Sequence, residues 1–336
     1  MFNHTYPLKM KNMMFVPRKK ISIILLLFSF LILISCKRVK TDDLSGDLIV
    51  FHAGSLSMPL KEITAEFKKE YPNTNVLLES AGSVECARKI TELNKPCDIL
   101  LSADYTVIDK LLIPKYTDWN IKFASNEMVI VYTEKSKRSS EIDSTNWIDI
   151  LLDKNVEIGR SDPNSDPCGY RTVLVTKLAE NYYKTANLSN LLMSKDKENM
   201  RPKETDLLAL LETNSVDYIF LYRSVAVQHH LKYVTLPDEI NLKSTKFANT
   251  YQKVSTQING KSPNEKITQI GEPMVYGITI LNNAPHQKLA LAFVKFLLTK
   301  EKGMAILNKL GQPSVIPSSN INYDKIPDEL RGFVSK

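Results

Sequence analysis

Leu48-Ile49-Val50-Phe51 runs into His52-Ala53-Gly54-Ser55, and the residues that follow place Leu60, Ile63 and Phe67 on one helical face. A short apolar run, a small polar turn and a stretch of helical period read as strand, loop and amphipathic helix. The same unit recurs downstream. Residues 76–78 lead through Ser80-Ala81-Gly82-Ser83 into a helix carrying Ala87, Ile90 and Leu93. Residues 99–101 lead through Ser102-Ala103-Asp104 into a helix around Ile108 and Leu112. Repeated strand–turn–helix units predict an α/β protein with a mostly parallel sheet covered by helices on both faces.

A further strand is expected at 128–132, followed by a polar break at 133–144, after which the pattern restarts. A strand at 156–159 and a loop at 160–169 precede a helix at 170–183, with Val173, Leu174, Leu178 and Tyr182 facing inward. The charged stretch 195–203 reads as surface. A helix at 206–211, a strand at 216–221 and a helix at 224–230 follow. One more strand is expected at 275–281, and two helices, 287–299 and 302–310, end the pattern. The strands near 128–132 and 275–281 bracket the second block, so the chain is expected to form two α/β lobes joined by two crossing strands. The cleft between such lobes is a common place for a ligand. The expected lobes are residues 48–127 plus 276–336, and residues 128–275.

The chain has 336 residues, 43% apolar and 24% charged, with 11 glycines, 16 prolines and four cysteines. These proportions exclude collagen-like, disordered and disulfide-dense proteins. The formal net charge of +7 is uneven, since residues 1–35 hold five basic residues and no acid, leaving 39 basic against 37 acidic residues. The basic balance therefore belongs to a leader and does not predict a nucleic-acid partner. Arg18-Lys19-Lys20 precedes an apolar run, residues 21–34, that ends at Leu33-Ile34-Ser35-Cys36. That run falls short of the roughly 20 residues of a spanning helix and reads as a secretory signal. Leu-Ile-Ser-Cys resembles a bacterial lipobox, which makes 1–35 a cleaved leader, Cys36 the lipidated N-terminus holding the chain to the membrane, and 36–47 a tether. Export permits a disulfide, and Cys86–Cys97 is conceivable; small buried thiols are the plainer reading.

Small polar residues open helices at the expected carboxyl ends of the strands: Gly54-Ser55, Gly82-Ser83 and Asp166-Pro167-Cys168-Gly169. In open α/β sheets ligands bind beyond those ends. The first N–H groups of a helix lack internal partners and lie at the positive end of its dipole. Several such ends meeting at one point form an anion site without a lysine or arginine. No GxSxG, HExxH, Walker, GxGxxG or CxxC motif is present, no cofactor is called for, and an enzyme is not expected. The competing enzymatic reading is a surface-anchored thiol hydrolase with Cys168 as nucleophile and His52 as its partner.

Several segments resemble the extracellular tungstate/molybdate-binding proteins of ABC importers, the WtpA branch related to ModA. They are Phe51-His52-Ala53-Gly54-Ser55-Leu56, Gly82-Ser83-Val84, Ser102-Ala103-Asp104-Tyr105, Phe123-Ala124-Ser125-Asn126-Glu127-Met128, Gly159-Arg160-Ser161-Asp162-Pro163-Asn164, Asp166-Pro167-Cys168-Gly169-Tyr170-Arg171, Arg201-Pro202-Lys203-Glu204-Thr205-Asp206, Tyr222-Arg223-Ser224-Val225-Ala226 and Val275-Tyr276-Gly277-Ile278-Thr279. The resemblance implies a type II periplasmic-binding-protein fold that closes on molybdate or tungstate and delivers it, as a monomer, to a membrane permease. It implies donors from Gly54, Ser55 and Ser83 in the first lobe. Asp166, Pro167 and Cys168 would approach from the second, Cys168 through its backbone N–H. In the tungstate-binding branch a glutamate commonly precedes Tyr-Arg-Ser-Val-Ala and, with the aspartate, completes six-fold coordination. Here that position is Leu221. Glu239 or a water would then supply the sixth oxygen, or the anion stays four-coordinate among N–H and O–H donors, the arrangement the sequence favours. Glu239 also fits a solvated strand-end acid. A sulfate or phosphate carrier is the rival within the binding class.

Overall fold

The computed structural model describes residues 1–2, 44–260 and 264–336. Residues 3–35 of the expected leader, Cys36 and residues 37–43 of the tether lie outside the described residues. No described helix is long and apolar enough to cross a membrane. Residues 44–336 form one compact unit.

Two five-stranded sheets organise that unit. The first has the order β2 (Thr74–Ala81), β1 (Gly46–Ala53), β3 (Ile99–Ser102), β12 (Val275–Ile280) and β4 (Ile121–Ser125). The second has the order β7 (Met200–Arg201), β6 (Ile158–Ser161), β8 (Tyr218–Tyr222), β5 (Met128–Tyr132) and β9 (Lys232–Thr235). β1 starts two residues before the expected strand, so Gly46 and Asp47 belong to the sheet rather than to a tether.

Both sheets are mixed rather than mostly parallel. β1 pairs parallel with β2 and β3, and β6 parallel with β7 and β8, as crossover helices require. β12 runs antiparallel to β3 and β4, and β5 antiparallel to β8 and β9. The antiparallel members are the strands at which the chain passes between sheets. β4 lies in the first sheet and β5, three residues on, in the second; β12 then returns to the first. Asn126, in the first passage, bonds Ser224 Oγ at 2.7 Å and Tyr276 Oη at 2.8 Å, joining both passages through one amide.

The amphipathic reading of the helices holds where apolar residues recur at helical spacing. Leu60, Ile63 and Phe67 of helix Ser57–Glu70 are fully buried. Helix Ser83–Thr91 ends before Leu93, which is exposed. Helix Pro167–Tyr183 begins earlier than expected and leaves Tyr182 exposed near its last turn. A hairpin not expected from the sequence, β10 (Ser255–Asn259) and β11 (Lys266–Ile270), spans the two lobes. Arg88 of helix Ser83–Thr91 donates to Asn259 O at 2.9 Å, and Asn259 N donates to Asn164 Oδ1 of the second lobe at 3.0 Å.

Candidate functional site

Where β1 ends, Gly54–Leu56 makes a single 3-10 turn that runs into helix Ser57–Glu70. Where β2 ends, Gly82 caps helix Ser83–Thr91. Across the interface, Asp166 caps helix Pro167–Tyr183, its Oδ1 accepting Cys168 N–H at 2.9 Å, with Pro167 at the first helical position. Proline there costs nothing, because that N–H would have had no helical partner.

The three turns meet. An added Cβ on Gly82 would stand 2.2 Å from Ser165 O and 3.1 Å from Asp166 Cβ, so absence of a side chain permits the approach. Glu85 N donates to Ser165 O at 3.1 Å, and Arg88 donates to Asn164 O at 3.1 Å, both from the first lobe to the second. Ser83 is buried, and its Oγ accepts Ala103 N–H at 3.0 Å, leaving its own proton to donate. The Ser55 hydroxyl pairs with Tyr276 Oη at 3.0 Å, and Gln312 Nε2 donates to Ser55 O.

At the centre stands a residue that sequence reasoning left in a quoted motif without a role. Glu204 follows the charged stretch expected at the surface, yet it is buried. Its Oε1 accepts Ser55 N–H at 2.5 Å across the two lobes, and its own N–H donates to Asp166 Oδ2 at 2.7 Å. The carboxylate lies directly over Gly54, where an added Cβ would meet Oε2 at 2.8 Å and Oε1 at 2.9 Å. Burial raises the pKa of both acids, and the Asp166 charge raises that of Glu204 further. Two carboxyl groups this close in a dry site hold one proton between them.

The other expected site residues fall out differently. The Cys168 N–H does not point at a ligand, because Asp166 caps it. Leu221 is buried one residue before the end of β8, paired with Val129. Glu239 is not brought to the cleft: it sits in the turn after β9, near Tyr183 and Tyr251. The Cys168 thiol is fully buried against Phe220 O, and burial pushes its pKa well up, opposite to what a thiolate nucleophile needs. Cys86 and Cys97 are buried free thiols, so no disulfide joins them.

Beside the cradle a polar cluster bridges the lobes. Tyr170 Oη donates to Asp104 Oδ2 at 2.6 Å, and Arg171 lies 3.3 Å from the same oxygen. Arg171 also donates to Ala103 O at 2.8 Å and to Tyr222 Oη at 3.2 Å. Glu272, before β12, accepts from Tyr105 Oη at 2.9 Å; burial and then the Asp104 charge raise its pKa from 4.5 to about 7. An acid with a raised pKa in the folded state stabilises the fold below its ordinary pKa, and that share is lost as pH rises through the folded value. Glu272→Gln should therefore gain in Tm on the wild type between about pH 4.5 and pH 7, with no further gain above. A Tm difference independent of pH would contradict this assignment.

A two-lobed α/β scaffold with helix starts and glycines meeting between the lobes fits a binding protein rather than an enzyme. The chain belongs to the bacterial extracellular solute-binding proteins, a family that residues 48–311 match. An uncharacterized solute-binding protein from Petrotoga mobilis is 53% identical over 87% of this chain and 91% of its own length. The molybdate/tungstate-binding protein WtpA of Pyrococcus abyssi is 41% identical over 94% of this chain and 97% of its own length. Among solved structures, the periplasmic molybdate-binding protein of Azotobacter vinelandii shares the fold with a TM-score of 0.57 at 18% identity, over 81% of this chain and all of that one. The sulfate-binding protein SubI of Mycobacterium tuberculosis does so with a TM-score of 0.55 at 17% identity, over 81% of this chain and 88% of that one.

Proposed function

We propose that this protein captures molybdate or tungstate outside the cytoplasmic membrane, held there by lipid on Cys36, and hands it to the permease of an ABC importer. The observation that carries the reading is the contact of Ser55 N–H and Gly54 with a carboxylate from the facing lobe. The first-lobe helix start gives its N–H to a carboxyl oxygen there, with no lysine or arginine among the direct contacts of the described residues. The name of the Pyrococcus abyssi relative supports the choice of oxyanion, and the Leu-Ile-Ser-Cys segment supports the anchor.

In this reading residues 48–127 with 276–336 form one lobe and 128–275 the other, acting as a single chain. Ser55 N–H and Ser83 Oγ donate from the first lobe, while Gly54 and Gly82 allow close approach. Asp166, Pro167 and Cys168 shape the facing turn, with Asp166 holding that turn through its cap. Closure gathers donors from both lobes around the ligand, and opening at the permease releases it. With Leu221 apolar, the site holds the anion by N–H and O–H donors, which lowers its preference for tungstate over molybdate. Sulfate is excluded by size, since its charge and shape are similar.

Calorimetric titration of the chain from residue 44 onward with molybdate, tungstate and sulfate tests this. Tight binding of the first two and weak binding of sulfate is expected. Equal or tighter sulfate binding would reassign the protein to the sulfate carriers, and binding of none would remove the oxyanion reading.

A further inference from the structure

We infer that Tyr276 is a positioning residue for the ligand: its phenol donates to Ser55 Oγ and so frees the Ser55 hydroxyl proton to point at the oxyanion. The inference rests on the oxyanion reading above and adds to that site a residue that acts through Ser55.

Donor and acceptor roles around Tyr276 are fixed by its neighbours. Asn126 Oδ1 accepts the N–H groups of Glu127 at 3.0 Å and Ser224 at 3.3 Å, so the amide nitrogen is the atom that faces Tyr276 Oη, 2.8 Å away. The Gln312 amide meets the Ser55 carbonyl at 3.0 Å. A carbonyl only accepts, so that atom is Nε2, and it also lies 3.4 Å from the phenol oxygen. Two amide donors thus fill the acceptor side of Tyr276 Oη. Tyr276 is fully buried, and burial raises its pKa, so the phenol keeps its proton at neutral pH. A buried O–H needs an acceptor, and the remaining neighbour is Ser55 Oγ at 3.0 Å. Ser55 Oγ therefore receives the Tyr276 proton, and no described residue accepts the proton that Ser55 itself carries on that oxygen.

A serine hydroxyl left to itself turns among its staggered positions and donates to whichever acceptor is at hand. The phenol removes that freedom by occupying the acceptor side of Ser55 Oγ. Ser83 is prepared in the same way, its Oγ taken as an acceptor by Ala103 N–H. Ser55, Asn126, Tyr276 and Gln312 all lie within residues 48–127 and 276–336, so the direction of the Ser55 hydroxyl is set inside the first lobe and does not depend on closure. An oxyanion entering the site meets a donor already aimed, and binding need not order it.

Tyr276→Phe removes the phenol oxygen and keeps the ring. Calorimetry with molybdate should show binding about tenfold weaker than wild type, as expected for a weakened hydrogen bond to a charged group. A packing defect would also weaken binding, so the deciding comparison is made in a Ser55→Ala background. With that hydroxyl gone, Tyr276→Phe should change affinity by less than about twofold. Losses that multiply in the double variant would overturn the inference, as would unchanged binding by Tyr276→Phe alone. Neutron diffraction of deuterated wild-type protein with molybdate bound reads the bond directly, and it carries the test should the phenylalanine variant fail to fold. A deuteron on Tyr276 Oη directed at Ser55 Oγ is expected, and a Ser55 deuteron directed at Tyr276 overturns the inference. If the wild type binds no oxyanion, the proposed function fails, and the neutron map of the ligand-free protein then decides alone whether Tyr276 sets the Ser55 hydroxyl.

Discussion

Gly82→Ala should reduce oxyanion affinity by about a hundredfold or more while both lobes remain folded. The new methyl would lie 2.2 Å from Ser165 O and 2.8 Å from its carbonyl carbon, both backbone atoms of the facing lobe. Cβ contacts below 3.0 Å essentially do not occur, and backbone cannot swing aside as a side-chain tip can. The lobes must therefore stay apart by the better part of an ångström. Gly82 has φ −62° and ψ 143°, which alanine adopts without strain, so the open molecule bears only the change at the helix N-cap. That change is worth about 1 kcal/mol or less. Closure instead loses the Glu85 N–H to Ser165 O bond and spoils the fit of donors from both sides. Losing or stretching two hydrogen bonds to a charged ligand removes about 3–6 kcal/mol. Calorimetry gives the affinity, and scattering with saturating ligand shows whether the variant still contracts. Binding within threefold of wild type would mean that the ligand does not require this approach of the lobes.

Much of the scaffold could be read because its signals are local. Met128–Tyr132 is an unbroken apolar run between polar segments, and it forms β5 with those bounds. Leu60, Ile63 and Phe67 repeat at helical spacing and are buried as that spacing implies. The hairpin was not legible: Ser255–Asn259 and Lys266–Ile270 are largely polar and half exposed, so they carry no apolar alternation to mark a strand. The mixed sense of the sheets was hidden for another reason. Strand direction at β5 and β12 depends on the chain leaving one sheet and returning to it, which no local window records.

The candidate site divides along the same line. Gly54-Ser55, Gly82-Ser83 and Asp166-Pro167-Cys168 stood out because small residues opening helices after strands are a local pattern, and the structure brings all three turns together. Reading Cys168 N–H as a donor overlooked that an aspartate before proline at a helix start is itself the cap. Glu204 has no local signal. It lies among Arg201, Lys203 and Asp206, where an acid reads as solvated, and its burial comes from Ser55, 149 residues away in sequence. Leu221 drew attention to a missing acid at its own position, and Glu239, in the segment that follows, was the substitute considered. The buried acid that the fold supplies sits instead on the 3-10 turn Glu204–Asp206.

Arg171→Ala should lower ligand affinity by about a hundredfold, chiefly by weakening the closed form. The Arg171 guanidinium is fully buried and joins the second lobe, where it also bonds Tyr222, to Asp104 and the Ala103 carbonyl of the first. Asp104 caps the turn at Thr106 and accepts from Tyr170, so on closure it is sealed off with Arg171 as its cation. Removing one partner of a buried ion pair typically costs about 3–5 kcal/mol, because the other charge is left uncompensated. In the open molecule water can solvate Asp104, and most of that cost therefore falls on closure, which ligand binding must drive. Arg171→Lys keeps the charge but cannot reach Asp104, Ala103 O and Tyr222 Oη together, so it should recover only part of the loss. Tyr170→Phe removes another bond to the same oxygen, and its effect should combine less than additively with that of Arg171→Ala. The ligand-free Tm separates the two roles open to Arg171. A latch predicts a small change in that Tm beside a large loss of affinity and of ligand-induced contraction. A fall in ligand-free Tm that accounts for the whole loss of affinity would make Arg171 a residue of the fold and not of its closure.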